Sequence, residues 1–194
     1  METFSKPVME ILAGLSVVIN MNDHKADLDM MTATNITQER KRRGARSDDV
    51  VKRHTAIGLG AEIAVTGTNM FKSCNPITEG AKGLSYVQRK QDVECEGYKI
   101  EIKTMNAKYG RWYISDAQCE SVLRSAILNS FFLLVEYKDL SGLKFEYVPR
   151  FLVDSSKIGR YIVSNTGSYS EYVFDHHRAV KAGACIDFKE YSYA

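Results

Sequence analysis

The chain has no Cys-x-x-Cys pair; its four cysteines stand apart at 74, 95, 119 and 185. That spacing argues against a structural zinc and suits reduced thiols in a cytoplasmic protein, with Cys95 and Cys119 on expected core positions. A long uninterrupted apolar run is also missing. The most apolar early stretch, 8–19, is broken by Glu10 and has no basic segment before it, so neither a signal peptide nor a membrane span is expected. Nor does charge of one sign dominate. With 26 Lys and Arg against 24 Asp and Glu, net +2, only local clustering could make a nucleic-acid surface. What the chain does have, 44% hydrophobic and 26% charged residues over 194 positions, excludes disorder throughout and suits one well-buried domain with room for an appendage.

The most informative stretch is 91–104, QDVECEGYKIEIKT. Polar and apolar residues alternate on both sides of Glu96-Gly97, which predicts a hairpin with a two-residue turn. Its register pairs Cys95 with Tyr98, Glu94 with Lys99, Val93 with Ile100 and Asp92 with Glu101. Side chains alternate faces, so Val93, Cys95, Tyr98, Ile100 and Ile102 form a core face while Asp92, Glu94, Lys99, Glu101 and Lys103 form a charged one. Opposed carboxylates repel unless something positive lies between them, and a hard divalent cation such as Mg²⁺ would fit. Lys103, on the face of Glu101, would point at the same phosphate oxygen. Glu94 and Lys99 lie nearer the turn and stay outside the inner set.

Asp92 followed by Glu101-Ile102-Lys103 at a strand end resembles the signature of the PD-(D/E)XK nuclease superfamily, over roughly 52–148. Gln91 stands where the eponymous proline would be. The resemblance implies a restriction-endonuclease-like α/β fold, a mixed central sheet flanked by helices. It implies Mg²⁺-dependent hydrolysis of DNA phosphodiester bonds, with Mn²⁺ able to substitute, in which Asp92, Glu101 and Glu62 hold metal and Lys103 completes the catalytic set. Glu62 enters by its position on the helix before the hairpin, in the small and apolar setting Gly60-Ala61-Glu62-Ile63-Ala64, where an unpaired carboxylate is costly. Gln118, in the first turn of the helix after the hairpin, is the candidate behind the metal ligands, with plain capping as its other role. A homodimer, frequent in the superfamily, would explain double-strand cleavage. The alternative is a protein that keeps the fold but not the chemistry, a DNA-binding or regulatory interaction module.

The remaining chain divides at 46 into an N-terminal helical and basic extension, 1–46, and a nuclease-like domain, 47–194. Residues 7–20 carry apolar side chains at helical spacing, and 22–37 reads as loop with short helical pieces. Arg40, Lys41, Arg42 and Arg43 form a basic run suited to phosphates or to solvent. Ser47 with Asp48 and Asp49 starts a helix through Val65, whose Gly58 and Gly60 suggest close approach of another backbone. Residues 66–90 read as a long connection with one short strand at 84–87. Beyond the hairpin, Lys108 and Arg111, interleaved with Tyr109, Trp112 and Tyr113, suit a sugar-phosphate backbone. Ser115 to Gln118 reads as a capping box opening a helix over 116–128, 131–135 as a central strand, and 142–148 as its partner. The tail carries short strands near 160–163, 172–174 and 184–191. Asp175-His176-His177 resembles the DHH phosphoesterases only weakly, and the histidines are read as DNA contacts instead.

Overall fold

The computed structural model describes residues 4–41, 45–74, 92–115, 130–164 and 171–191. The predicted strand at 84–87 and the helix at 116–128, with Gln118 and Cys119, lie outside them, as do Arg42 and Arg43. In chain order the elements begin with α1 (Lys6–Gly14), β1 (Val17–Asn20), α2 (Lys25–Glu39) and α3 (Asp48–Thr66). Strands β2 (Lys72–Ser73), β3 (Val93–Cys95), β4 (Tyr98–Asn106) and β5 (Trp112–Ser115) follow, then the long pair β6 (Ser130–Asp139) and β7 (Lys144–Asp154). Short strands β8 (Ile162–Ser164), β9 (Glu171–Phe174) and β10 (Cys185–Asp187) close the chain, with single helical turns at Ser155–Ile158 and His176–Lys181 between them.

The hairpin forms in the predicted register, Val93 on Ile100, Glu94 on Lys99 and Cys95 on Tyr98. Glu96 and Gly97 turn it with φ of 50° and 81°, the double positive φ of a tight hairpin loop. β4 runs parallel to β6, and β6 is antiparallel to β7. The main sheet is therefore mixed, in the order β1-β7-β6-β4-β3-β2, with β10 also on β7. A second, antiparallel sheet, β5-β9-β8, packs over one side of it. This is an α/β architecture, and β6 reads as its centre because Phe131, Phe132, Leu133, Leu134 and Val135 are all buried. Burying each such side chain contributes about 1.5–3 kcal/mol.

Two cores lie on the two sides of β4 and β6. On one, Val93, Cys95, Ile100, Ile102, Phe131 and Leu133 meet α1 and α3; on the other, Met105, Phe132, Leu134, Phe151 and Val153 meet Trp112, Ile114 and Phe174 of the small sheet. The charged face of the hairpin is thus divided: Glu101 is buried, while Glu94 and Lys99 near the turn stay exposed.

The N-terminal third departs from expectation. The helix over 7–20 stops at Gly14, and Val17-Val18-Ile19 extends as β1, pairing with β7. Two β-branched valines and an isoleucine in succession favour that outcome. Where 22–37 reads as loop with short helical pieces, Lys25–Glu39 forms one continuous 15-residue helix; its apolar stripe is thin, with Leu28, Thr32 and Glu39 the buried positions. Far from being an appendage, this segment supplies an edge strand and the core residues Phe4, Val8, Met9, Leu12 and Leu28. It also braces the hairpin: Phe4 packs on Tyr98 and Phe131 with ring centroids 5.4 and 5.1 Å apart, and the Ser5 backbone N–H donates to Glu96 Oε2 at 2.7 Å.

α3 starts as predicted, with Ser47 Oγ accepting from the Val50 N–H. Its two interior glycines have different reasons. A Cβ on Gly60 would collide with the Tyr147 phenol, which donates to the Ile57 carbonyl at 3.0 Å, so the close neighbour is a side chain rather than a backbone. At Gly58 a Cβ would meet nothing within 4 Å. Its cost of about 1 kcal/mol against Ala in a helix is not explained by packing.

Candidate functional site

β3 begins at Val93, so Asp92 lies just outside the ladder and forms no main-chain pair with Glu101 in the described register. Its side chain continues the pairing instead: Asp92 Oδ2 accepts the Ile102 N–H at 2.7 Å. That bond turns the carboxylate toward β4. Glu101 is buried, 6% exposed, and Lys103 Nζ donates to its Oε1 at 2.6 Å. An ion pair so removed from water repays its desolvation only with good geometry and further partners.

Glu62 on α3 completes the cluster. Burial, then the charge of Glu101, push its carboxyl up to about 7, with Lys103 opposing. Burial, Glu101 and Glu62 raise Asp92 well above the usual carboxylate range, against the pull of Lys103 and the Ile102 N–H. Burial disfavours the Lys103 ammonium, but Glu101, Asp92 and Glu62 together outweigh it and hold its pKa above the ordinary lysine value. Glu62, Asp92, Glu101 and Lys103, all picked out by sequence, therefore share one field. Three carboxylates face one ammonium, which leaves negative charge in a place where it is expensive.

A hard dication fits that surplus, because the donors are carboxylate oxygens and the shortfall is positive charge. Asp92 and Glu101, with Glu62, are the groups that would hold it. Among the described residues no three His, Cys, Asp or Glu side chains already stand as a metal-holding group, and Lys103 sits on a Glu101 oxygen such an ion would take. Glu94 and Lys99 are exposed, as their position near the turn predicts.

The basic candidates divide. Arg40 is paired with Asp48 at 2.9 Å on the surface, and Arg46 at the end of the run is held by Glu39. Lys41, Lys108 and Arg111 are exposed, and Tyr109 beside them is 70% exposed. For Trp112, which suited either a sugar-phosphate contact or ordinary packing, the structure shows packing: it is fully buried, edge-on against Phe151. The Asp175 carboxylate caps the short helix by accepting the Arg178 N–H at 3.0 Å, and His176 packs on Phe151 and His177; there the motif serves local structure. Cys74, Cys95 and Cys185 are free thiols, and no described helix is long and apolar enough to cross a membrane.

Sequence reading missed a second polar cluster between α2 and α3. Glu39, 7% exposed, accepts from Arg46 Nε at 3.0 Å and Nη2 at 3.1 Å, and Arg46 Nη1 lies 2.9 Å from His54 Nδ1. Asn35 Nδ2 donates to Thr55 Oγ1 at 2.9 Å. These residues and Glu62 line a cavity of about 270 Å³. The one sequence signal for it was Gly58, a mid-helix glycine. No protein-family profile, curated protein or solved structure matches the chain.

Proposed function

We propose that the chain is a Mg²⁺-dependent DNA endonuclease of the PD-(D/E)XK type, with a restriction-endonuclease-like core. The observation that supports this reading is the buried Glu101–Lys103 pair next to Asp92, whose carboxylate accepts the Ile102 N–H, with Glu62 of α3 within their electrostatic reach. The order helix, hairpin, parallel strand around it is further support.

Asp92 and Glu101, with Glu62, would hold Mg²⁺ or Mn²⁺, which would supply a lowered pKa for a coordinated water and stabilisation of charge on the phosphate. Asp92 is oriented by the Ile102 N–H, and Glu101 by the rigid centre of the sheet. Lys103 moves from Glu101 to the reacting phosphate, where its ammonium positions the water or neutralises the developing charge. The covered setting strengthens each of these interactions by keeping bulk water away. Arg40, Lys41, Arg42, Arg43, Lys108 and Arg111 hold the DNA backbone, Gln118, outside the described residues, is the candidate to support the metal ligands, a homodimer serves two-strand cleavage, and the compartment is the cytoplasm.

The test is cleavage of supercoiled plasmid by wild type, Glu101→Ala and Lys103→Ala with Mg²⁺ or EDTA. Metal-dependent nicking lost in both variants supports the enzyme. Plasmid, linear duplex, single strands and branched DNA all left intact with Mg²⁺ and Mn²⁺ would leave the DNA-binding or regulatory module as the better reading.

A further inference from the structure

The cavity between α2 and α3 has three properties that together select an occupant. First, it ends at Glu62, whose carboxyl feels Glu101 and Lys103. Glu62 therefore belongs both to the cavity lining and to the field of Glu101 and Lys103. Second, its size of about 270 Å³ falls just below the roughly 300–1,000 Å³ typical of small-molecule sites. It has room for one flat heterocycle and none for a base pair.

Third, its lining is two-natured, and beyond the Glu39–Arg46 pair its one ionisable acid is Glu62. The Arg46 guanidinium is engaged on Glu39 and His54, so no uncommitted cation waits for a phosphate. Met31, Val51 and Leu59 supply apolar wall. With its amide N–H on Thr55, Asn35 turns that group away from its own carbonyl oxygen, an acceptor; with Nδ1 facing Arg46, His54 keeps Nε2–H as a donor. The Gln38 amide adds one of each at the rim. Donors and acceptors beside apolar wall are what a nucleobase edge and face require. The floor is Gly58, where any side chain would project into the open space. The helix accepts a weak former at the position that keeps the cavity open.

We infer that the α2–α3 cavity, floored by Gly58 and edged by Asn35, Gln38 and His54, receives a single unpaired nucleobase of the DNA substrate. This rests on the nuclease reading for the placement of the attached phosphate at Glu62, Asp92, Glu101 and Lys103. The substrate class is then DNA carrying an extruded or unpaired nucleotide at the cleavage point, and fully paired duplex is a poorer ligand. An unpaired base has already lost its stacking, so the cost of bringing it into a pocket is lowest there.

The experiment measures binding in EDTA, so that it reads the cavity and not the chemistry. Labelled duplexes are compared that are fully paired, that carry one bulged adenine, or that carry a bulged abasic residue. Wild type should bind the bulged adenine about tenfold more tightly than either of the others, the size expected from stacking one base. Gly58→Leu, which fills the cavity, and Asn35→Ala, which removes an edge contact, should lose that preference while binding paired duplex as wild type does. Thermal melts verify that both variants are folded. Equal binding of the three duplexes by wild type overturns the inference, as does a preference that survives in folded Gly58→Leu. Plasmid cleavage without a bulge preference would sink the base pocket alone; a bulge preference without any metal-dependent cleavage would sink the nuclease and leave the pocket standing.

Discussion

The two faces of β4 share a backbone and little else. On one, Ile100 and Ile102 enter a core with Val93, Cys95, Leu133 and α3; on the other, Glu101 pairs with Lys103 in the field of Asp92. The first face lowers the free energy of the fold by removing apolar surface from water. On the second, charge is held where burial penalises it, and Lys103 alone compensates from within. A strand rigid enough to be set by its apolar side can hold an unfavourable charge arrangement on its other side. That division of labour is what a preorganised site requires.

The contrast can be broken most severely from the charged side. Replacing Glu101 by Gln or Lys103 by Ala is expected to lower Mg²⁺-dependent cleavage by a factor on the order of 10²–10³ or more, the usual cost of losing one preorganised charged partner, as read from plasmid nicking rates on samples shown folded by circular dichroism. From the apolar side, Ile100→Ala should cost about 2–5 kcal/mol of stability by urea unfolding, while the fraction that stays folded keeps its metal dependence.

A smaller effect distinguishes the faces by pH. Because burial raises the Glu62 carboxyl to about 7, the folded protein holds a proton there that the unfolded chain has released. Stability of the metal-free protein should therefore fall as pH rises from the ordinary carboxylate range through about 7. Glu62→Gln should flatten that fall and be the more stable protein at pH 8 in EDTA; a fall as steep in the variant would show that Glu62 is not its source. The smallest effect compares two positions two residues apart. Gly58→Ala should stabilise by about 1 kcal/mol, whereas Gly60→Ala should destabilise because its methyl meets Tyr147; thermal melts of the two variants decide it.

Legibility followed the same division. The hairpin was readable because a period-two pattern on both sides of Glu96-Gly97 admits one register, and that register brings Glu101 and Lys103 to one face. The expected pairing of Asp92 with Glu101 is not part of the ladder; Asp92 instead accepts the Ile102 N–H through its side chain, which alternation alone does not encode. α2 was not readable, since its contacts to α3 are polar pairs such as Asn35 with Thr55 and Lys52 with Asp29 rather than an apolar stripe. β1 was hidden inside a run whose apolar spacing also suits a helix, and only pairing with β7 decides between them. Trp112 looked like a surface aromatic among basic neighbours, yet the small sheet turns it inward onto Phe151. Long-range pairing, invisible in local spacing, accounts for each of these differences.

The most direct measurement of the central claim is calorimetric titration of Mn²⁺ into metal-free wild type and Glu101→Gln at pH 7.5. The account predicts saturable binding to wild type with release of protons from the raised Glu62 carboxyl, and loss of that binding in the variant. Absence of saturable binding to wild type, or binding unchanged in Glu101→Gln, would contradict it.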